Sequence, residues 1–296
     1  MKKILGIILI CITIYSCGNN NNKFDASGTF ESTEIIISSE SMGKILNLNI
    51  EEGDKINKNE IVGIIDSVQL NLKKMQLIKN MQSVISRSPK VSIQLSILKE
   101  ELKKQIKEQK RLKRLAKANA ASEKQIDDIS ASVLILKSKI RALKSTLNNN
   151  VNSISAQSSA IEIQIAQIED QLSKCYIKSP TNGSILAKYS QEGEFARVGN
   201  PLFKIANLDE VFLKAYINSG QLLNLKLGQS VKVFANFGGD KQREYKGHIS
   251  WISNKSEFTP KSIQTQDERE NLVYAIKVKI KNDGYIKLGM YGEVKF

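Results

Sequence analysis

The chain has 296 residues, with 44 Lys and Arg against 30 Asp and Glu, so its formal net charge is +14. Hydrophobic residues make up 41% and charged residues 25%, which excludes a polytopic membrane protein and a wholly disordered chain. The single histidine, His248, excludes a multi-histidine metal site, and the P-loop ATPase motif is absent from the sequence. Aromatic residues are only 6%, which favours an extended shape over one thick core.

The first segment predicts secretion. Residues 1–16 contain two lysines followed by the apolar stretch Ile4–Tyr15, which is too short to span about 30 Å of hydrocarbon as a helix. The following Cys17 resembles the acylated cysteine of bacterial lipoproteins, although Tyr15 departs from the small residue usual at that place. We predict lipidation of Cys17; the alternative is an ordinary signal peptide cut before a cysteine. Residues 17–27 are polar at their start and predict a flexible tether.

Two segments 140 residues apart repeat the same pattern. Each has a Gly-x-Ile-Leu start, a Glu-Gly pair and an apolar end, over Gly43–Ile65 and Gly183–Ile205. The alternation of apolar residues predicts strands, and Gly53 and Gly193 are expected at turns with positive φ. A unit of about 25 residues cannot bury a core alone, so we predict that the two halves pack on each other. Chance similarity of two β-turn-β segments is the alternative.

Between these halves lies a predicted helical hairpin. Residues 67–174 contain one proline, Pro89, where we expect a kink or break, and no glycine. Ser122 and Gln125 fit a capping box that starts the second helix. Two antiparallel arms of about 50 residues, roughly 75 Å long, are expected. The seam of the second arm is spaced alternately by three and four residues: Ile126, Ile129, Val133, Leu136, Ile140, Leu143, Leu147, Val151, Ile154, Ile161, Ile165, Ile168 and Leu172.

The end of the first arm is strongly basic. Lysines and arginines recur from Lys103 to Lys117 at the loop end of the hairpin. A solvated helix face and a docking surface both explain this charge. Nucleic-acid binding is disfavoured, because no aromatic residues that could stack bases interleave with the cations.

From Asn207 onward the sequence predicts strands and no helix. The alternating segments end at turn signals and predict a small β-barrel; they are Val211–Ile217, Ser230–Ala235, Tyr245–Ile252, Leu272–Ile280 and Gly292–Phe296. We assign structural roles to His248 and Trp251 in this region, and Cys175 is interpreted as an inert packed thiol.

A glycine-marked β-domain split by a helical hairpin and followed by further strands resembles the HlyD-like membrane-fusion proteins, the periplasmic adaptors of tripartite efflux and secretion systems. The resemblance implies an elongated fold of mixed α and β structure. Its parts would be a split lipoyl/biotinyl-like β-domain of residues 28–66 plus 175–206, an antiparallel coiled-coil hairpin of residues 67–174 and a β-barrel of residues 207–296. We expect no cofactor, because the hairpin occupies the place of the turn that carries the modified lysine in true lipoyl domains.

The resemblance also implies partners. Arg111, Leu115 and Ser122 fit the pattern with which such adaptors dock on the tip of a TolC-type outer-membrane channel. The barrel would sit on an inner-membrane transporter. The segments Glu257–Pro260 and Gln264–Arg269 resemble a loop of adaptors that work with ABC transporters, which favours that class. A proton-driven RND-type pump is the alternative partner.

Together with the predicted lipidation of Cys17, the resemblance implies a membrane-anchored lipoprotein of the Gram-negative periplasm that forms a ring, most simply a hexamer. From the lack of interleaved aromatic residues, we expect it to bind no nucleic acid. A structural lipoprotein whose hairpin self-associates into a stalk is the rival hypothesis. An enzyme is disfavoured, because no nucleophile lies in a recognisable catalytic context.

Overall fold

The computed structural model describes residues 24–238, 241–257 and 272–296. The predicted signal peptide, Cys17 and residues 18–23 of the tether therefore lie outside the described residues. So do residues 258–260 and 264–269, on which the resemblance to ABC-transporter adaptors is based. The described chain forms a closed barrel, two four-stranded sheets and a helical hairpin. This confirms the predicted fold class of mixed α and β structure with a coiled-coil hairpin, a split β-domain and a barrel.

The barrel has six antiparallel strands. In spatial order they are β1 (Ala26–Glu31), β10 (Glu210–Asn218), β13 (Val273–Lys281), β12 (Gln242–Glu257), β11 (Ser230–Asn236) and β14 (Tyr291–Lys295). Alternate side chains point inward, so Val211, Leu213 and Ala215 of β10 have no exposed surface. Closure leaves the sheet without a free edge, which protects its backbone hydrogen bonds.

Two boundaries of the sequence analysis need correction. Residues 26–27, assigned to the tether, and residues 28–31, assigned to the split domain, form β1 of the barrel, which pairs with β10 and β14. Phe30 is 1% exposed inside the barrel, and a Cβ on Gly28 would lie 1.8 Å from the Lys214 carbonyl oxygen. The short segment directly precedes the first strand of the split domain in the sequence, but it pairs with strands more than 180 residues away.

A second correction concerns helix content after Asn207. A short helix, α4 (Ser219–Leu222), follows β10 directly. Asn218 caps it, since its side-chain oxygen accepts a hydrogen bond from the Gln221 N–H at 2.9 Å. In return, the Asn218 N–H donates to the Gln221 Oε1 at 3.0 Å. One helical turn has no hydrophobic periodicity, so the sequence pattern could not reveal it.

The two repeat halves form one sandwich. One sheet contains β2 (Glu34–Ser38), β9 (Pro201–Ala206), β7 (Gly183–Lys188) and β4 (Lys55–Ile56). The other contains β6 (Tyr176–Lys178), β5 (Ile61–Ile65), β3 (Gly43–Leu48) and β8 (Phe195–Ala196). Each sheet takes strands from both halves, and side chains of both halves share one buried core.

The two halves exchange matched backbone contacts. The Gly53 N–H donates to the Ile185 carbonyl at 2.9 Å, and the Gly193 N–H donates to the Ile45 carbonyl at 2.9 Å. Both glycines have positive φ, 97° and 91°, as the turn prediction required. Because each residue pair is shifted by 140 positions, the repeat seen in the sequence is a two-fold relation within this domain.

The hairpin consists of three helices. Its first arm is α1 (Val68–Ser86) and α2 (Val91–Lys117), and its second arm is the 52-residue α3 (Glu123–Lys174). The break between α1 and α2 lies at Pro89, as predicted. The side chains of the predicted α3 seam are all buried or half-buried, and Val133, Leu136, Leu147 and Ile161 are the most buried. Ser158 fills the seam position that lacks an apolar side chain.

Candidate functional site

The base of the hairpin is fixed to the sandwich by both of its ends. The Ile65 N–H, at the end of β5, donates to the carbonyl of Cys175, which follows α3, at 2.8 Å. Cys175 is fully buried in the sandwich core, and its Sγ lies 3.2 Å from the Ser41 Oγ. Higher up, the ammonium of Lys74 in α1 contacts the carboxylate of Glu169 in α3 at 2.8 Å. The hairpin therefore projects from the sandwich, and both repeat halves are needed to form that sandwich.

A small hollow lies beside this base. It has a volume of about 310 Å³ and is lined by residues from β2, the end of α3 and β6. Asp170 accepts a hydrogen bond from the Lys174 ammonium at 2.6 Å, and this bond, together with the negative charge of Asp170, raises the pKa of Lys174 above its usual value. The pair joins two residues one helical turn apart and supports the last turn of α3.

The tip is a tight turn between α2 and α3. The Ala120 N–H donates to the Leu115 carbonyl at 2.9 Å and the Asn119 N–H donates to the Ala116 carbonyl at 3.0 Å. Asn119 has φ of 53°, which is the left-handed conformation that ends many helices. The sequence analysis missed this helix-ending motif, although a lone asparagine in an alanine-rich stretch was a signal for it.

The second helix starts with the predicted capping box. The Ser122 Oγ accepts from the Gln125 N–H at 3.3 Å, and the Gln125 side chain accepts from the Ser122 N–H at 3.0 Å. Two amide groups that the helix start would leave without partners are thereby satisfied. Ser122 is exposed at the turn, so its hydroxyl faces solvent while it caps α3.

Arg111 and Leu115 lie one turn apart on α2. The Arg111 Nε is 3.3 Å from a carboxylate oxygen of Glu108, and the guanidinium side chain is 63% exposed. An exposed pair of this kind holds the side chain weakly, so another acceptor can replace Glu108. Leu115 is 37% exposed. Of the three predicted docking residues, then, two share a face near the end of α2 and the third begins α3.

Charge is unevenly distributed along the hairpin. Residues 68–174 hold 20 Lys and Arg against 9 Asp and Glu, so this segment accounts for +11 of the formal +14. From Val91 to Lys117, α2 has nine cations and three glutamates. The few acidic residues near the tip lie mainly on the first turns of α3: Glu123, Asp127 and Asp128.

His248 and Trp251, to which the sequence analysis assigned structural roles, both lie in β12 of the barrel. His248 is exposed in β12, and Trp251, 42% exposed in the same strand, lies at the barrel surface rather than in its core. Within residues 24–238, 241–257 and 272–296, no group of three or more His, Cys, Asp or Glu is arranged to hold a metal ion. In the same ranges, every helix is either too short or too polar to cross a membrane.

Sequence comparison finds relatives among bacterial membrane proteins. The chain is 27% identical over 288 residues to the UPF0194 membrane protein YE2891 of Yersinia enterocolitica, a match that covers 86% of this chain and 83% of that protein. It is 28% identical over 119 residues to the UPF0194 membrane protein YbhG of Salmonella arizonae, covering 40% of this chain and 35% of that relative. No protein-family model matches the chain.

Solved structures share the fold. MacA from Actinobacillus actinomycetemcomitans superposes with a TM-score of 0.55 at 20% identity, covering 91% of this chain and 76% of that one. A MacA–MexA chimera with the Pseudomonas aeruginosa MexA α-hairpin domain gives a TM-score of 0.54 at 19% identity, over 91% and 78% of the two chains. These matches confirm, at the level of the fold, the resemblance predicted from the split β-domain and its hairpin.

Proposed function

We propose that this chain, which has the fold of the HlyD-like membrane-fusion proteins, is a periplasmic adaptor that performs no chemistry and links an inner-membrane transporter to an outer-membrane channel. One observation carries the proposal. The two repeat halves close a single sandwich at the base of the hairpin, and the hairpin projects from it over 52 residues of α3, about 78 Å. A rod on a rigid platform spans a distance between two bodies, as an adaptor must.

The tip provides the docking surface in this proposal. Arg111 would donate hydrogen bonds to carboxylate or carbonyl groups of a TolC-type channel, since its present partner Glu108 is exposed and easily exchanged. Leu115 would enter an apolar notch, because 37% of this residue is exposed to solvent. Ser122 would contact the channel while capping α3.

Anchoring and assembly complete the proposal. Cys17 would carry the lipid, and the barrel would sit on the transporter, with an ABC exporter favoured over an RND-type pump. A single hairpin is only two helices thick, so several copies must stand side by side to enclose a duct, and we propose a hexameric ring. Replacement of Cys17 by Ser tests the anchor: labelling with a fatty-acid analogue should disappear.

The docking claim is tested by paired substitutions at the tip. Arg111→Ala and Leu115→Ser should each abolish export while the far-ultraviolet circular dichroism of the purified protein stays unchanged. Arg114→Ala, which removes an equal charge one turn further along α2, is the matched control and should leave export intact. Export that survives both tip substitutions contradicts the proposal.

Crosslinking separates the adaptor from a self-associating stalk. A photoreactive residue at position 115 should capture an outer-membrane channel in cells. Capture of other copies of this chain alone would favour the stalk, which needs neither the sandwich nor the barrel. A gene for an ATPase subunit beside this gene would favour the ABC partner.

A further inference from the structure

One side of the hairpin carries two adjoining hollows in the part of its length that is nearer the tip than the base. The first, about 420 Å³, lies along α2 and is lined by Leu102, Ile106 and four lysines: Lys99, Lys103, Lys107 and Lys110. The second, about 480 Å³, is lined by Leu102 of α2 and by four residues of α3: Leu134, Lys137, Ile140 and Arg141. Both hollows are lined by Leu102 and adjoin there, and we call the two together the lateral groove. It lies away from the turn that carries Ser122.

The floor of the lateral groove is apolar and partly open to solvent. Leu134 is 62% exposed, although it lies beside the seam residue Val133, which is 5% exposed. Leu102, Ile106 and Ile140 are each half-buried. An exposed leucine within a strongly charged helix costs solubility and is typical of a contact with a partner when it is continuous with other apolar surface.

The walls of the groove are cationic and lack acidic partners. Among the described residues, Lys99, Lys107, Lys110, Lys137 and Arg141 form no salt bridge, and Lys103 pairs with Glu100 only at 3.5 Å with both groups exposed. Axial spacings of about 4–6 Å between these cations are shorter than the Debye length of about 10 Å at 0.1 M salt, so their potentials add.

The geometry selects the occupant. With the cations that follow on α2, the basic side extends from Lys99 to Lys117, about 27 Å along the axis, which is longer than one lipid headgroup or small anion. An apolar centre between charged walls is the usual arrangement for a helix laid in a groove. A second copy that presented this same basic side would be a poor occupant, because lysines would then face lysines.

We infer that the lateral groove binds an acidic amphipathic helix of a different polypeptide. The apolar face of that helix would cover Leu102, Leu134 and Ile140, and its carboxylates would pair with the lysines and the arginine of the walls. This contact is distinct from docking at the tip, because Arg111, Leu115 and Ser122 line neither hollow. It would fix the rotation of the hairpin about its own axis, which a tip contact alone leaves free.

The test measures binding of a synthetic probe to the full-length protein. The probe is a fluorescent 28-residue helix with leucine at the seam positions and glutamate on its flanks, followed by anisotropy. We expect saturable binding that weakens at least about 10-fold between 50 and 300 mM salt. The triple variant Lys103→Glu/Lys110→Glu/Lys137→Glu should weaken binding by at least 10-fold, and Leu134→Ser by several-fold.

Matched controls distinguish this site from general attraction to a basic protein. Lys104→Glu/Lys124→Glu/Lys139→Glu makes the same change of charge at positions that line neither hollow and should change affinity less than three-fold. Equal weakening by both triple variants overturns the inference. Binding of vesicles containing anionic phospholipid with no binding of the helix would assign the groove to a lipid, and dimerisation through Leu134 in sedimentation would assign it to a second copy; either outcome overturns it. Export is not measured, so failure here leaves the adaptor function untouched.

Discussion

The sandwich buries Ile65, Phe203 and Ile205 completely, whereas along the 52 residues of α3 four seam side chains are less than one-tenth exposed. The sandwich is held by contacts between segments about 140 residues apart, and these contacts enclose a hydrophobic core. The hairpin has a seam two helices wide, so most of each helix surface remains in water. The difference teaches where each property resides: stability resides mainly in the sandwich and barrel, and surface available to partners resides mainly in the hairpin.

The largest expected effect breaks the sandwich core. Ile65→Ala and Ile205→Ala, which are equivalent by the 140-residue shift and both fully buried, should each lower the free energy of unfolding by about 2–5 kcal/mol. Urea denaturation followed by near-ultraviolet circular dichroism measures this. Ile36→Ala, at a site 54% exposed on β2, should change stability by less than about 0.5 kcal/mol. A loss at Ile36 as large as at Ile65 would show that the core is wrongly located.

A smaller loss is expected in the seam of the hairpin. Leu136→Ala removes a side chain that is 6% exposed, and we expect a loss of about 2 kcal/mol, at the low end for such changes, because water and neighbouring side chains can relax into the space. Its sequence neighbour Ile135, 56% exposed, provides the control. Thermal unfolding followed at 222 nm compares the two alanine variants, and equal midpoints would contradict the seam assignment.

The two-fold relation within the sandwich makes a prediction about its turns. Gly53→Ala and Gly193→Ala should each destabilise the protein by about 1–2 kcal/mol, because both positions have positive φ while a Cβ would meet no atom within 4 Å. The cost is therefore conformational and should be similar at both sites. Chemical denaturation measures it. Unequal losses would mean that the two turns are not equivalent in energy.

The smallest effect is expected at the tip. Ser122→Ala removes the hydroxyl that accepts from the Gln125 N–H and should cost about 1 kcal/mol, confined to the first turn of α3. Hydrogen exchange of the amides of residues 123–126 should quicken while the seam near Leu136 is unchanged. Ser132→Ala, at an exposed site within α3, is the control. Global destabilisation would show that the cap affects more than the tip.

Local patterns accounted for the hairpin and for the two repeat halves. The seam positions from Ile126 to Leu172 recur every three or four residues, which is about one helical turn. The sequence alone therefore located the seam. The same holds for the capping box at Ser122 and the break at Pro89, which depend on neighbours four residues away or fewer. These features needed no knowledge of distant partners.

Pairings between segments that are distant in the sequence could not be predicted in the same way. Nothing within Ala26–Glu31 indicates that its partners are β10 and β14 rather than the sandwich strand that follows it. The lateral groove was equally hidden, because it depends on which flank of α2 meets which flank of α3. Leu134 directly follows the seam residue Val133 in the sequence, and its exposure beside Lys137 and Arg141 became visible only when the two helices were paired.

The position of β1 has a consequence for the order in which the molecule is completed. Ala26 pairs with Val294, so the first barrel strand to leave the ribosome waits for the last, about 270 residues later. The two arms of the hairpin, by contrast, are adjacent in the chain and can associate as soon as α3 has been synthesised. Folding during synthesis should therefore pass through an intermediate with a formed hairpin and an open barrel. The apolar faces of the barrel strands stay exposed in this intermediate until translation ends.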